Sequence, residues 1–253
     1  MDTVSIAIVS HGDQEDVREL LNSFEKHHES SLNFEIILLE NKKVQRTSNY
    51  KNFSFPIKLI ENHESAGLAK NINTIFENVT GNYFCILNPD IVFTGNIFLR
   101  LINSMKNNDI DIISPLIMDP DGNIQDSFRN IPNPLELFIR YISQPSIVEL
   151  SSKDGLIYPE WLAGMFLFME SKLFEEMSGY NEKYFLYFED VDFCCRALNR
   201  GKIIVLDPRI NLIHNAKRAS KNYPLFLLRH VISATIFFFS RTYWKYKINK
   251  YRV

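Results

Sequence analysis

The stretch YFCILNPDIVF (residues 83–93) decides the reading of this chain. A run of strand length, all apolar, ends at Asn88-Pro89-Asp90, where a proline stops regular pairing and a carboxylate is left at the strand's end. Upstream, VSIAIVS (4–10), FEIILLE (34–40) and IKLIE (57–61) repeat the pattern. Between them, Val17, Leu20, Leu21 and Phe24, then Leu68, Ile72, Ile75 and Phe76, have helical spacing. Strands alternating with helices predict βαβ units and a mostly parallel sheet, whose ligands gather at the carboxyl ends of the strands. Two other such ends read Ser10-His11-Gly12 and Glu40-Asn41, polar where the apolar run stops.

Downstream the texture changes. Pro115, Pro120, Pro132, Pro134 and Pro145 predict loops. WLAGMFLFM (161–169) predicts one strand, followed by a helix, and a second helix is expected to start near Glu189 with Gly201 as its C-terminal cap. IIVLD (203–207) closes the sheet. The segment YPLFLLRHVISATIFFF (223–239) is interrupted by Arg229 and His230, and its uninterrupted part is shorter than the ~20 residues of a spanning helix, so an interfacial helix or one packed on the body is expected.

With 253 residues, 45% of them hydrophobic, the chain can bury a large core, and disorder is excluded. Cys85, Cys194 and Cys195 show no zinc-ligand spacing and imply a reducing compartment. The acidic start MDTVSIAIVSHG is unlike an export signal. The net charge of −2 hides an asymmetry: residues 217–253 carry nine Lys/Arg and no Asp or Glu, leaving the rest at −11. A basic aromatic tail on an acidic body suits a polyanion or an anionic lipid surface.

Neither GxGxxG nor GxxxxGK[ST] occurs, which removes the main support for hydride transfer or kinase chemistry. Asp90 suits Mg²⁺ or Mn²⁺, hard cations that can bridge a diphosphate, although Asn-Pro-Asp is also an ordinary turn. In GYNEKYFLYFEDVDFCCRALNRG (179–201), Glu189, Asp190 and Asp192 stand behind four aromatic residues at the mouth of the expected helix, where acids are also favoured by the dipole alone. His214, followed by Lys217, Arg218 and Ser220, could complete a metal shell or be structural.

Taken in order over roughly residues 4–220, these segments resemble bacterial members of glycosyltransferase family 2, especially the rhamnosyltransferases of O-antigen and related polysaccharides. The resemblance implies a GT-A fold, a Rossmann-like nucleotide-diphospho-sugar transferase architecture. It assigns 1–220 to that domain, with 1–114 as the nucleotide-sugar half and 115–220 as the acceptor and catalytic half, and leaves 221–253 as a membrane-associating helical tail. SIAIVSHGD and ILLENK look like the segments that contact the nucleotide, giving Ser10, His11, Glu40 and Asn41, with Glu40 where the family commonly has Asp. SAGLAKNIN (65–73) is similar to a further donor segment and adds Gly67, Lys70 and Asn73. LNPDI (87–91) matches the diphosphate and metal motif, with Asn88 at the position of a first Asp, so Asp90 and His214 are the implied ligands of Mg²⁺ or Mn²⁺. Trp161 and Gly164 carry over the acceptor-side strand. YFLYFEDVDFCCR is the most specific match, and by resemblance Asp190 is the base, with Glu189 second and Asp192 supporting.

The implied activity is inverting transfer of a sugar, L-rhamnose from dTDP-rhamnose first, with UDP-hexoses and galactofuranose still open. The acceptor is a lipid-linked or growing glycan, and the implied location is the cytoplasmic face of a bacterial inner membrane. No nucleic-acid partner is expected. A nucleotidyltransferase of similar fold would release pyrophosphate instead of a nucleoside diphosphate, and a polyanion-binding module would bind nucleic acid in a salt-sensitive way.

Overall fold

The computed structural model describes residues 1–42, 50, 52–142, 150–215 and 224–250. In chain order the elements are β1 (Thr3–Ser10), α1 (Gln14–His27), β2 (Asn33–Glu40), β3 (Ile57–Glu61), α2 (Leu68–Phe76), β4 (Tyr83–Leu87), β5 (Ile91–Val92), α3 (Phe98–Asn108) and β6 (Ile112–Met118). There follow β7 (Phe128–Arg129), α4 (Pro134–Ile142), β8 (Ser152–Lys153), β9 (Leu156–Ile157), β10 (Trp161–Leu162), β11 (Phe166–Glu170) and α5 (Ser171–Glu176). Last come α6 (Glu189–Leu198), β12 (Ile204–His214), α7 (Pro224–Phe238) and α8 (Arg241–Lys250).

The sheet runs β3-β2-β1-β4-β11-β6-β12-β9-β8. Its long strands are parallel except β11, which is antiparallel to both neighbours. The order reverses between β1 and β4, the crevice where open α/β sheets take ligands. Register then brings the polar ends together, since Ser10 lies beside Glu40, and Ile8 beside Leu87. Successive strand residues point to opposite faces, so Ile6, Ile36 and Cys85 join α1 and α3 in one core while Ala7, Ile37 and Phe84 join α2, α5 and α6 in another. The expected apolar face of α1 is fully buried, and Phe24 packs against Phe34, Phe55, Phe93 and Phe98 with centroids 4.9–5.9 Å apart. Truncating Phe24 to Ala should cost ~3–5 kcal/mol.

Four local expectations are corrected. Pro115 lies inside β6, because β11 pairs only with Ile112 and Ile113 and no longer needs an N–H at residue 115. Pro134 opens α4, a position where its missing N–H is not required. WLAGMFLFM is two strands: β10 pairs with β7 in a separate ribbon, and a turn at Ala163–Met165 passes the chain to β11 in the main sheet. The last strand extends past Pro208, with an irregularity between Asp207 and Asn211, so His214 ends β12 instead of following it.

The expected helix from Glu189 is present. It closes in a Schellman motif, with Lys202 N–H on Ala197 O, Gly201 N–H on Leu198 O, and Gly201 at φ +74°. The tail forms two helices with a 58° bend between them, and among the described residues no single helix is long and apolar enough to cross a membrane. The expected boundary at residues 220–221, together with Lys217, Arg218 and Ser220, lies outside the described residues.

Candidate functional site

Three groups of residues converge at the carboxyl ends of the parallel strands. The first is the β1–β2 end. Ser10 and Glu40 are buried side by side, and one Glu40 oxygen, Oε2, is buried without a hydrogen bond. Burial raises the Glu40 carboxyl, and the Ser10 hydroxyl opposes that shift. An unpartnered carboxylate oxygen at this place would accept a hydroxyl or N–H that reaches it. His11 is exposed beside it.

Asn41 has a different task. Its Oδ1 accepts the N–H of Ala66 (2.8 Å) and an amide hydrogen of Asn62 (3.1 Å), and its Nδ2 donates to Ala66 O (2.9 Å). Asn62 also donates to Asn71 Oδ1 at 2.9 Å. This network fixes the loop that leads into Gly67. A Cβ at Gly67 would lie 2.7 Å from Phe185 O, and Leu68 N–H donates to that oxygen at 2.8 Å, so glycine is required for the donor-side helix to approach the segment before Glu189. Lys70 is exposed on α2, and Asn73 is committed to Tyr180 N–H, Tyr180 O and Glu182. By these contacts Asn73 ties α2 to the segment at Tyr180–Glu182.

The second group is Asp90 and His214, brought together because the turn after β4 returns as β5, which pairs antiparallel with the end of β12. His214 Nε2 lies 3.0 Å from Asp90 Oδ1 and 3.5 Å from Asn88 Nδ2. Gln125 grips the same histidine twice: its Nε2 donates to His214 O at 2.8 Å, which turns its Oε1 toward Nδ1 at 2.7 Å. An amide oxygen only accepts, so Nδ1 carries the proton and Nε2 is left to face the carboxylate. Asp90 Oδ1 is itself buried without a hydrogen bond. An imidazole nitrogen and an orphaned carboxylate oxygen fit a divalent cation between them, with the histidine oriented from behind. Among the described residues no three His, Cys, Asp or Glu side chains gather as a metal cluster, so the remaining ligands would come from substrate phosphate and water.

The third group stands at the start of α6. Tyr187 and Phe188 both hold positive φ, +70° and +67°, directly before Glu189, an uncommon backbone for aromatic residues. Glu189 is buried, with Oε2 unpartnered, and its carboxyl is pushed well up by burial and then by the charge of Asp190. Asp190 is also raised by burial, but less freely. Gly164 N–H (2.9 Å) and Val191 N–H (2.7 Å) donate to it, and the Trp161 indole, which makes no hydrogen bond of ordinary geometry, pulls the same way. Burial raises both carboxyls, and the hydrogen bonds from Gly164 and Val191 favour the charged form of Asp190, whereas Glu189 Oε2 has no such donor. Asp192 differs: it accepts from Arg196 Nε at 2.7 Å and Tyr184 OH at 3.3 Å, and Arg196 reaches on to Met177 O and Gly179 O. Its place is in the scaffold beneath the site.

Sequence reasoning missed Gln125, Asn62, Asn71 and the contact between Gly67 and Phe185. Only the buried Asn71 on an apolar helix face left a signal that could have been found.

A family model described as glycosyl transferase family 2 matches residues 5–174. The chain belongs to glycosyl transferase family 2. The family member is 26% identical over 171 residues to the N-acetylglucosaminyl-diphospho-decaprenol L-rhamnosyltransferase of Mycobacterium tuberculosis, an alignment covering 63% of this chain and 56% of that protein. It is 23% identical over 231 residues to the rhamnosyltransferase WbbL of Escherichia coli K12, covering 87% and 86%. The chain thus spans about half of the mycobacterial relative and most of the other. Among solved structures, GalNAc-T7 with UDP, GalNAc and Mn²⁺ superposes with a TM-score of 0.67 at 15% identity, over 85% of this chain and 44% of that one. Staphylococcus aureus TarS with UDP-GlcNAc gives 0.62 at 14% identity, over 94% and 67%. The GT-A fold expected from the resemblance is therefore the fold found.

Proposed function

We propose that this family 2 protein transfers a sugar, with inversion, from a nucleoside-diphospho-sugar to a hydroxyl of a lipid-linked or growing polysaccharide. L-rhamnose from dTDP-rhamnose is the first candidate, because two curated relatives are named rhamnosyltransferases and one name specifies a diphospho-decaprenol. The observation that carries the reading is two unlike centres, Asp90–His214 and Glu189–Asp190, linked at the strand ends by Asn88 N–H on Met165 O and Gly164 N–H on Asp190. Such a pair suits a reaction that must hold a diphosphate and deprotonate an alcohol.

In this reading the Glu40 carboxylate receives the nucleoside, and Asp90 and His214 hold the cation. That cation, Mg²⁺ or Mn²⁺, supplies charge neutralisation for the leaving diphosphate. Asp190 takes the proton of the acceptor hydroxyl while that oxygen bonds to the anomeric carbon. The anomeric C–O bond to phosphate breaks on the opposite face, and the diphosphate leaves with the electron pair. A carboxylate is a weak base for an alcohol, so positioning by Gly164, Trp161 and the loop before Glu189 contributes much of the rate. The basic tail places the protein on the cytoplasmic leaflet that carries such an acceptor.

The test is a panel of nucleotide sugars with Mg²⁺ or Mn²⁺, read by thermal shift and nucleoside diphosphate release, with and without EDTA. One donor should stabilise the protein and release its nucleoside diphosphate only with metal. Release of pyrophosphate, or no stabilisation by any donor, would refute the reading.

A further inference from the structure

The helix α7 is apolar on both its inward and its outward face. Its inward face, Ser233, Ala234 and Phe237, is buried, yet Leu225, Leu228 and Ile232 form an outward stripe at i, i+3 and i+7, widened by Leu227 and Val231, with Phe239 just past the helix end. Leu225 is 55% exposed and Phe239 84%. A second element repeats the arrangement. On α4, Leu137 packs inward, while Leu135, Phe138 and Ile139 stand outward, the first two at 67% and 62% exposure. Both helices rest on one apolar cluster that includes Ile131, Tyr184, Phe188 and Val191. Single exposed apolar residues are ordinary, but two outward stripes on one cluster are not.

The charge on α7 and α8 selects the occupant. Residues 224–250 contain five Lys/Arg and no acid, and α8 exposes Arg241 and Lys245 next to Trp244. Apolar stripes with cations and an interfacial tryptophan match an anionic phospholipid leaflet. The same α7 braces the active site from behind. Ser233 Oγ donates to Leu186 O at 2.9 Å, and the His230 ring lies 5.2 Å from those of Tyr187 and Phe188, the two left-handed residues before Glu189.

We infer that α4 and α7 together form the docking surface for an anionic phospholipid leaflet, α4 being a second anchor outside the basic tail, and that docking sets the acceptor side of the site against the lipid. This deepens the glycosyltransferase reading and rests on it for the meaning of the acceptor side. The experiment is flotation of the full chain with phosphatidylglycerol vesicles and with phosphatidylcholine vesicles. Wild type should float with the anionic vesicles, and L135Q/F138Q/I139Q on α4 should lose at least about tenfold in vesicle affinity, as should L228Q/I232Q on α7, whereas F138W should retain binding. Equal flotation of the α4 variant and wild type would overturn the proposal, as would flotation independent of lipid charge. A concentration-dependent dimer dissolved by the α4 substitutions would also overturn it, because a second copy would then be the occupant. Donor-induced thermal shift without vesicles is read on the same proteins and should be unchanged in both variants, so failure of the donor reading is seen separately from failure of docking.

Discussion

The two acidic centres of the site are built in opposite ways. Asp90 sits on a turn at a strand end, partly open, with one orphaned oxygen facing an imidazole that Gln125 holds from behind. Glu189 and Asp190 are buried at the head of a helix, behind a strained backbone, with carboxyls raised by burial. A half-buried carboxylate whose free oxygen faces a histidine is suited to a cation. One kept dry beside a second acid is suited to taking a proton. Chemically identical groups thus acquire different tasks from solvation and hydrogen bonding alone.

That contrast can be broken from either side. The largest effect is expected at His214, whose replacement by Ala should weaken metal-dependent donor binding by about 100-fold, measured by calorimetry with Mn²⁺. Gln125→Leu should weaken it by about tenfold, because the imidazole is no longer oriented, and Gln125→Glu, which keeps an acceptor for Nδ1, should recover part of that loss. Gly67→Ala attacks the other centre. Its Cβ would press on Phe185 O, shift the loop before Glu189 and lower turnover by about tenfold while donor affinity stays near normal.

The smallest change is expected from Glu189→Gln. Burial raises the Glu189 carboxyl above its unfolded value, so ionising it in the folded state costs stability as pH rises, and the neutral amide should raise Tm at neutral pH relative to wild type.

The first half of the chain was legible because its strands and helices carry their own periodicity, from VSIAIVS to YFCILN, and each polar end follows directly on an apolar run. The helix at Glu189 was legible for the same reason, together with Gly201. The rest of the second half was not. Its two-residue strands are too short to show a period, and the split of WLAGMFLFM depends on partners distant in sequence. The same holds for Gln125 and His214, 89 residues apart, since only the pairing of β6 with β12 and the bridge of Met118 to Ile124 bring them together. Asp192 illustrates the converse: proximity in sequence grouped it with Asp190, while Arg196, one turn later, takes it into the scaffold.

The most direct test of the central claim measures donor-induced stabilisation and nucleoside diphosphate release together in Asp90→Asn and Asp190→Asn. Asp190→Asn should bind donor and Mn²⁺ as wild type does and lose at least about 100-fold in turnover. Asp90→Asn should lose metal-dependent donor stabilisation itself. Near-normal turnover in Asp190→Asn, or unchanged metal-dependent binding in Asp90→Asn, would contradict the division of labour between the two centres.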